Sequence, residues 1–151
     1  MRGSSLFRRL TGLALSLAIL LVLLPGTAVA ASTSLLATTM TGAEEAPGPG
    51  DPDGFGAVAL VLKPATGQVC WAYVVKGVEP IIAAHIHVAP VDSPGPVVVT
   101  LGAAGNRRFS LGCTTAAPAL VAAIVANPTD YYVNVHNATF PQGALRGQLG
   151  D

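Results

Sequence analysis

Charged side chains are scarce in this chain, 11% of its residues, and aromatic ones scarcer still at 5%. Among 151 residues there are two cysteines, one tryptophan and three histidines. Several motifs are missing altogether. No phosphate loop and no dinucleotide fingerprint occurs, so nucleotide chemistry has no backbone cradle. Neither Ser93 nor Ser110 sits in a Gly-x-Ser-x-Gly elbow, which leaves a hydrolase triad without support. Glu44 and Glu45 are adjacent, point apart if extended, and say little for a glycosidase carboxylate pair. Past the first thirty residues no apolar run is long enough to span a bilayer.

Those thirty residues have their own layout. Arg2, Arg8 and Arg9 precede an apolar run from Leu10 to Leu24, and Ala28-Val29-Ala30 is a small-x-small site. This is the pattern of a secretory signal peptide, residues 1–30, cleaved after Ala30. Arg8-Arg9 matches a twin-arginine signal only in part, so general secretion is the expected route to a secreted, periplasmic or cell-envelope location. Three of the eight basic residues lie in this leader and all eight acidic ones follow it, leaving residues 31–151 at a net charge of −3. That sign argues against nucleic acid as a partner. The remaining ~120 residues suit one domain with a single core, expected as a monomer.

Export to an oxidising compartment makes a Cys70–Cys113 disulfide the default. Closing a loop of that length would stabilise by roughly 4 kcal/mol in the chain-entropy model. Two buried thiols or two metal thiolates are the competing readings. Trp71, beside Cys70, is expected to pack in the core near the disulfide.

The body of the chain reads as short strands. LLATTM (Leu35 to Met40) is followed by TGAEEAPGPGDPDGFG, an irregular loop dense in turn residues. AVALVL (Ala57 to Leu62) and QVCWAYVVKG (Gln68 to Gly77) flank the turn KPATG, which predicts a hairpin. IIAAHIHV is closed by APVDSPGP, PVVVTLG leaves that turn, and RRFSLG is a weaker strand. PALVAAIVANP (Pro118 to Pro128) has Pro at its start, Asn-Pro as a stop, and Leu120, Ile124 and Val125 on one side, which predicts one short helix. YYVNVHN alternates, FPQG turns, and ALRGQL ends the pattern. Such spacing predicts an all-β antiparallel sandwich with one short helix. Asn137-Ala138-Thr139 is a sequon, meaningful only in a host that glycosylates, whereas Pro128 excludes the one at Asn127.

Strand parity gathers the polar residues. In AAHIHV, Ala84, Ile86 and Val88 share one face, leaving His85 and His87 on the other, about 6.5 Å apart along the strand. In YYVNVHN, Tyr131, Val133 and Val135 oppose Tyr132, Asn134 and His136. In ALRGQL, Leu145 and Leu149 oppose Arg146 and Gln148. If these strands are neighbours, all three histidines, Asn134, Tyr132 and Arg146 meet on one surface outside the core. The expectation is an external patch whose rings contribute little to the fold.

TGAEEAP, AAHIHVAP and NPTDYYVNVHNATFPQGALRGQLG together carry a resemblance to the chordin-type domain, CHRD, over about Leu35 to Leu149. The chain is identified as a CHRD domain, residues 31–151. One departure is Ala89-Pro90 after the HIH strand, where a glycine is expected. The resemblance implies a secreted antiparallel β-sandwich of Greek-key, superoxide-dismutase-like form. It implies no particular partner, and growth-factor binding is not carried over.

Two readings of the histidines stand side by side. A His-x-His strand with a third His on its neighbour can hold copper or zinc through neutral imidazoles at His85, His87 and His136. HIH is similar to the copper-ligand strand of copper–zinc superoxide dismutases, but there is no fourth histidine, no zinc loop and only Arg146 as an anion guide. Alternatively the histidines, Asn134, Tyr132 and Arg146 form a metal-free hydrogen-bonded network under the AEEAPGPGDPDG loop, with Glu44, Glu45 or Asp51 as partners. The function expected is binding, of a metal or of an extracellular protein, and not catalysis. A copper-dependent redox or superoxide-handling protein is the alternative.

Overall fold

The computed structural model describes residues 32–150; the leader read over residues 1–30 and its cleavage site lie outside the described residues. Eight strands and one helix follow in chain order: β1 Ser34–Thr41, β2 Phe55–Lys63, β3 Gln68–Lys76, β4 Ala83–Val88, β5 Val97–Leu101, β6 Phe109–Thr115, α1 Pro118–Ala126, β7 Tyr131–His136 and β8 Leu145–Gln148. Single turns of 3-10 helix at Gly42–Glu44 and Pro128–Asp130 lie in the connections.

β2 shows how the pattern becomes structure. Gly56, Val58, Leu60 and Leu62 are buried while the residues between them are half-buried or exposed, the period-2 signature of a sheet with one apolar face. The turn to β3 needs Gly67, whose φ of +69° and approach to the Ala116 carbonyl leave no room for a side chain.

All neighbouring strands are antiparallel, in the order β5-β4-β7-β8-β1-β2-β3-β6. The ladder is thinnest at its middle, where β1 meets β8 through one register pair, Thr41 and Arg146. Two four-stranded halves are thus joined at a corner and curl over a shared core, with the edge strands β5 and β6 in contact across the open seam. After β4, β5 and β6 the chain passes through α1, and β7 returns to pair beside β4. The result is an antiparallel β fold with one short helix, a sandwich nearly closed into a barrel. Its interior is filled by Met40, Leu60, Leu62, Ile86, Val133 and Leu145, among others.

Three local expectations change. α1 buries Val121 and Ile124, while Leu120 and Val125 are only partly buried. Alanines surround these positions, so the helix carries little amphipathic contrast from which a face can be read. RRFSLG becomes a full strand to Thr115, because pairing with β3 brings Cys113 opposite Cys70; Arg107 and Arg108 precede it. The disulfide forms between these partners on the outer face of β3. Trp71, one residue on, turns inward, packs against the core and donates from Nε1 to Ser110 Oγ at 3.3 Å. Trp71 and the disulfide therefore lie on opposite faces of the strand.

Candidate metal centre

β4, β7 and β8 are consecutive neighbours, and their registers set the site. His85 pairs with Asn134 and His87 with Tyr132; Asn134 pairs in turn with Arg146, and Tyr132 with Gln148. Side chains alternate along a strand, so this polar set shares one side of the sheet. The three histidines converge, each offering a ring nitrogen within 4.8 Å of the others. Bonds of about 2.0–2.1 Å to a common ion require ligand nitrogens closer than about 4.2 Å. Tetrahedral coordination sets such nitrogens about 3.4 Å apart, so the rings would close by up to about 1.4 Å to share an ion.

The patch is not external. His87 and His136 are each only 7% exposed, Tyr132, Asn134 and Arg146 are buried, and His85 alone is half-buried. Both faces of β7 are covered along its whole length. The roof is the β4–β5 turn, residues 89–96, fastened from below. Arg146 donates from Nη1 to the Ser93 carbonyl and from Nη2 to the Pro90 carbonyl, both at 2.8 Å. Gln148 Nε2 donates to the Ala89 carbonyl at 3.0 Å, and the Gly95 amide donates to Tyr132 Oη at 3.2 Å. Arg146 cannot be an anion guide, because its guanidinium is buried and directed at these carbonyls.

Two backbone carbonyls set the histidine tautomers. His87 Nδ1–H donates to the Gly95 carbonyl at 2.8 Å, and His136 Nδ1–H to the Pro141 carbonyl at 3.1 Å. In a neutral imidazole that leaves Nε2 of His87 as a bare lone pair. His87 Nε2 is buried without a hydrogen-bond partner. His136 Nε2 lies 3.0 Å from His85 Nδ1 and 3.0 Å from the Asn134 side-chain amide. Asn134 turns its Oδ1 to His136 Nε2 and its N–H₂ to the Glu45 carboxyl.

Glu45 is the acid beside this amide. Burial pushes its carboxyl up to about 7, against the pull of Arg146 and of its contacts to Asn134 and the Ala46 backbone. Gly143, having no side chain, admits the carboxyl. Of the three acids expected to partner the network, Glu45 enters it; Asp51 Oδ1 instead accepts from the Asp53 amide at 3.2 Å within its own loop. Two of the histidines, His85 and His136, are pushed toward the neutral form. Burial, then the neighbouring His136 and His87, bring His85 down to about 4. Burial also lowers His136, with the Pro141 carbonyl opposing and His87 adding to it.

The sequence had no signal for the Gly95 and Pro141 carbonyls, since backbone groups leave no residue type to read. Nor did it give the stack described by Tyr132, whose ring lies 4.7 Å from that of His87 and 3.6 Å from the Arg146 guanidinium carbon. The sequon fails on structure: Asn137 is fully buried and its Oδ1 accepts from the Phe140 amide at 2.7 Å.

Among the described residues no helix is long and apolar enough to cross a membrane. No curated protein and no solved structure matches the chain. The CHRD domain matches residues 36–149, which spans every strand except the first two residues of β1 and includes all three histidines. On that match the chain belongs to the CHRD domain family.

Proposed function

We propose that this CHRD domain is an exported binding protein that holds one copper or zinc ion through His85, His87 and His136. One observation carries the reading: the three rings each offer a nitrogen within 4.8 Å of the others, and the Gly95 carbonyl takes the Nδ1–H of His87 and leaves its Nε2 buried without a partner. Carbonyl-anchored imidazoles are the usual support for metal-ligating histidines, fixing tautomer and ring direction. Three imidazole nitrogens suit both ions, and at an equal site copper binds above zinc.

The residues around the ligands have distinct roles on this reading. Asn134 orients His136 and links it to Glu45. Tyr132 backs the His87 ring. Arg146 and Gln148 hold the covering turn in place. Half-buried His85 is the side by which an ion enters. The open position beside it also favours the second reading, a copper-dependent redox or superoxide-handling protein; against it, the one cation of the site faces inward. A protein partner at this face is disfavoured because the rings are covered. The leader pattern and the disulfide support a location outside the cytoplasm.

Elemental analysis of the secreted protein, prepared without a histidine tag, tests the reading. About one copper or zinc per chain is expected. Protein that carries neither ion and takes up neither on dialysis contradicts it.

A further inference from the structure

The outer face of the other half-sheet has a different composition. Register places Ala37, Ala59, Ala72 and Leu111 in one row across β1, β2, β3 and β6. The row beside it reads Thr39, Ala57, Val74 and Phe109. Small side chains therefore floor a groove of about 730 Å³, while Leu35, Phe109 and Leu111 around it are 69%, 53% and 71% exposed. Contiguous apolar surface of this kind on a protein in water marks a binding face, and the volume falls in the range of small-molecule sites, about 300–1,000 Å³.

Charge narrows the occupant. Beyond the leader the chain has five cations, and Arg146 is buried. The other four, Lys63, Lys76, Arg107 and Arg108, all lie on or next to β2, β3 and β6. None of the eight acidic residues falls within β1, β2, β3 or β6, and one, Asp53, lies two residues before β2. Lys76 stands over the Phe55 ring at 5.2 Å, and this pair is two positions along the strands from Ala57 and Val74 of the groove. Arg107 lines a second hollow that shares Phe109 and Leu111 with it. A second copy set face to face would bring these like charges together, which opposes pairing. Docking on a membrane would call for large apolar side chains at the centre of the face, where this one has alanines.

We propose that this groove binds one long-chain carboxylate, its alkyl chain along the alanine floor and its head at Lys76 and Arg107. Apolar burial supplies the affinity and the two cations orient the chain. The site is on the half of the fold away from the histidines and does not depend on them.

Fluorescence titration with cis-parinarate, kept below its micelle concentration, tests the proposal. Wild type should bind saturably, one per chain. Ala72→Phe, which fills the floor at an exposed position, should weaken binding about tenfold or more with the melting temperature unchanged. The Lys76→Ala/Arg107→Ala variant should weaken it about tenfold and flatten its salt dependence; if Ala72→Phe does not fold, this variant decides. No saturable binding by wild type, or equal binding by the variants, overturns the proposal. So does capture by anionic lipid vesicles without binding of the free probe, or a concentration-dependent dimer that Ala72→Phe abolishes.

Discussion

The imidazole of His87 is stacked on the ring of Tyr132, with centroids 4.7 Å apart and planes 9° from parallel. On the next strand the Arg146 guanidinium lies against that same phenol ring. The three side chains come from β4, β7 and β8, so the stack ties the strand of His85 and His87 to the strand that fastens the covering turn. His87 is thus part of the packing as well as a candidate ligand.

His87→Ala is therefore expected to destabilise the metal-free protein. The change removes a buried ring and leaves the Gly95 carbonyl without its donor, at a cost of about 2–3 kcal/mol. Thermal melting in the presence of a chelator measures it. A melting temperature equal to wild type would mean that the ring is not packed as described.

Arg146→Leu removes the donors to the Pro90 and Ser93 carbonyls and is expected to cost about 3 kcal/mol or more. Hydrogen exchange should speed up at the amides of Val91, Asp92, Ser93 and Gly95. Arg146→Lys should not restore protection, because an ammonium cannot span two carbonyls and a phenol face as the planar fork does. Unchanged exchange in this turn would contradict the fastening role.

How much of this was legible beforehand depends on the kind of contact. Alternation in AAHIHV, YYVNVHN and ALRGQL was enough to bring His85, His87, His136, Asn134 and Arg146 together, since period 2 leaves only two faces. Burial was not legible. It comes from a loop that folds back, fixed by the Gly95 and Pro141 carbonyls and by an arginine whose exposed or buried state no periodicity reports. The same ambiguity affected α1, where alanines hid which side Val121 faces, and β6, whose strand character depends on β3 lying alongside.

Stability against pH should show two opposing slopes. His85 is held at about 4, below its ordinary value of 6.5, so the unfolded chain binds more protons between those values and stability rises with pH across them. Glu45 is held at about 7, above 4.5, so the folded chain binds more protons there and stability falls as pH rises through that window. Glu45→Gln should therefore steepen the rise between pH 4.5 and 6.5 and remove the decline toward pH 7. Denaturant melts across pH check both; a Glu45→Gln profile parallel to wild type contradicts the raised Glu45 carboxyl. Proton competition at His85 is accordingly expected near 4 and not near the 6.5 of a free imidazole.

Removing the disulfide should weaken the fold without touching the site. Cys70 and Cys113 join β3 to the edge strand β6, on the half-sheet away from the histidines. Cys70→Ala/Cys113→Ala is expected to lose roughly 4 kcal/mol by the chain-entropy account while metal affinity is unchanged. Loss of affinity in a variant that is still folded would contradict the separation of the two.

Calorimetric titration of chelator-stripped protein with copper and with zinc at pH 7 bears most directly on the central claim. Wild type should bind one ion per chain, copper more tightly than zinc, and His85→Ala, His87→Ala and His136→Ala should each weaken binding about a hundredfold while remaining folded. Binding of wild type no tighter than that of the three single variants would contradict a common metal centre and leave the histidines as a structural network.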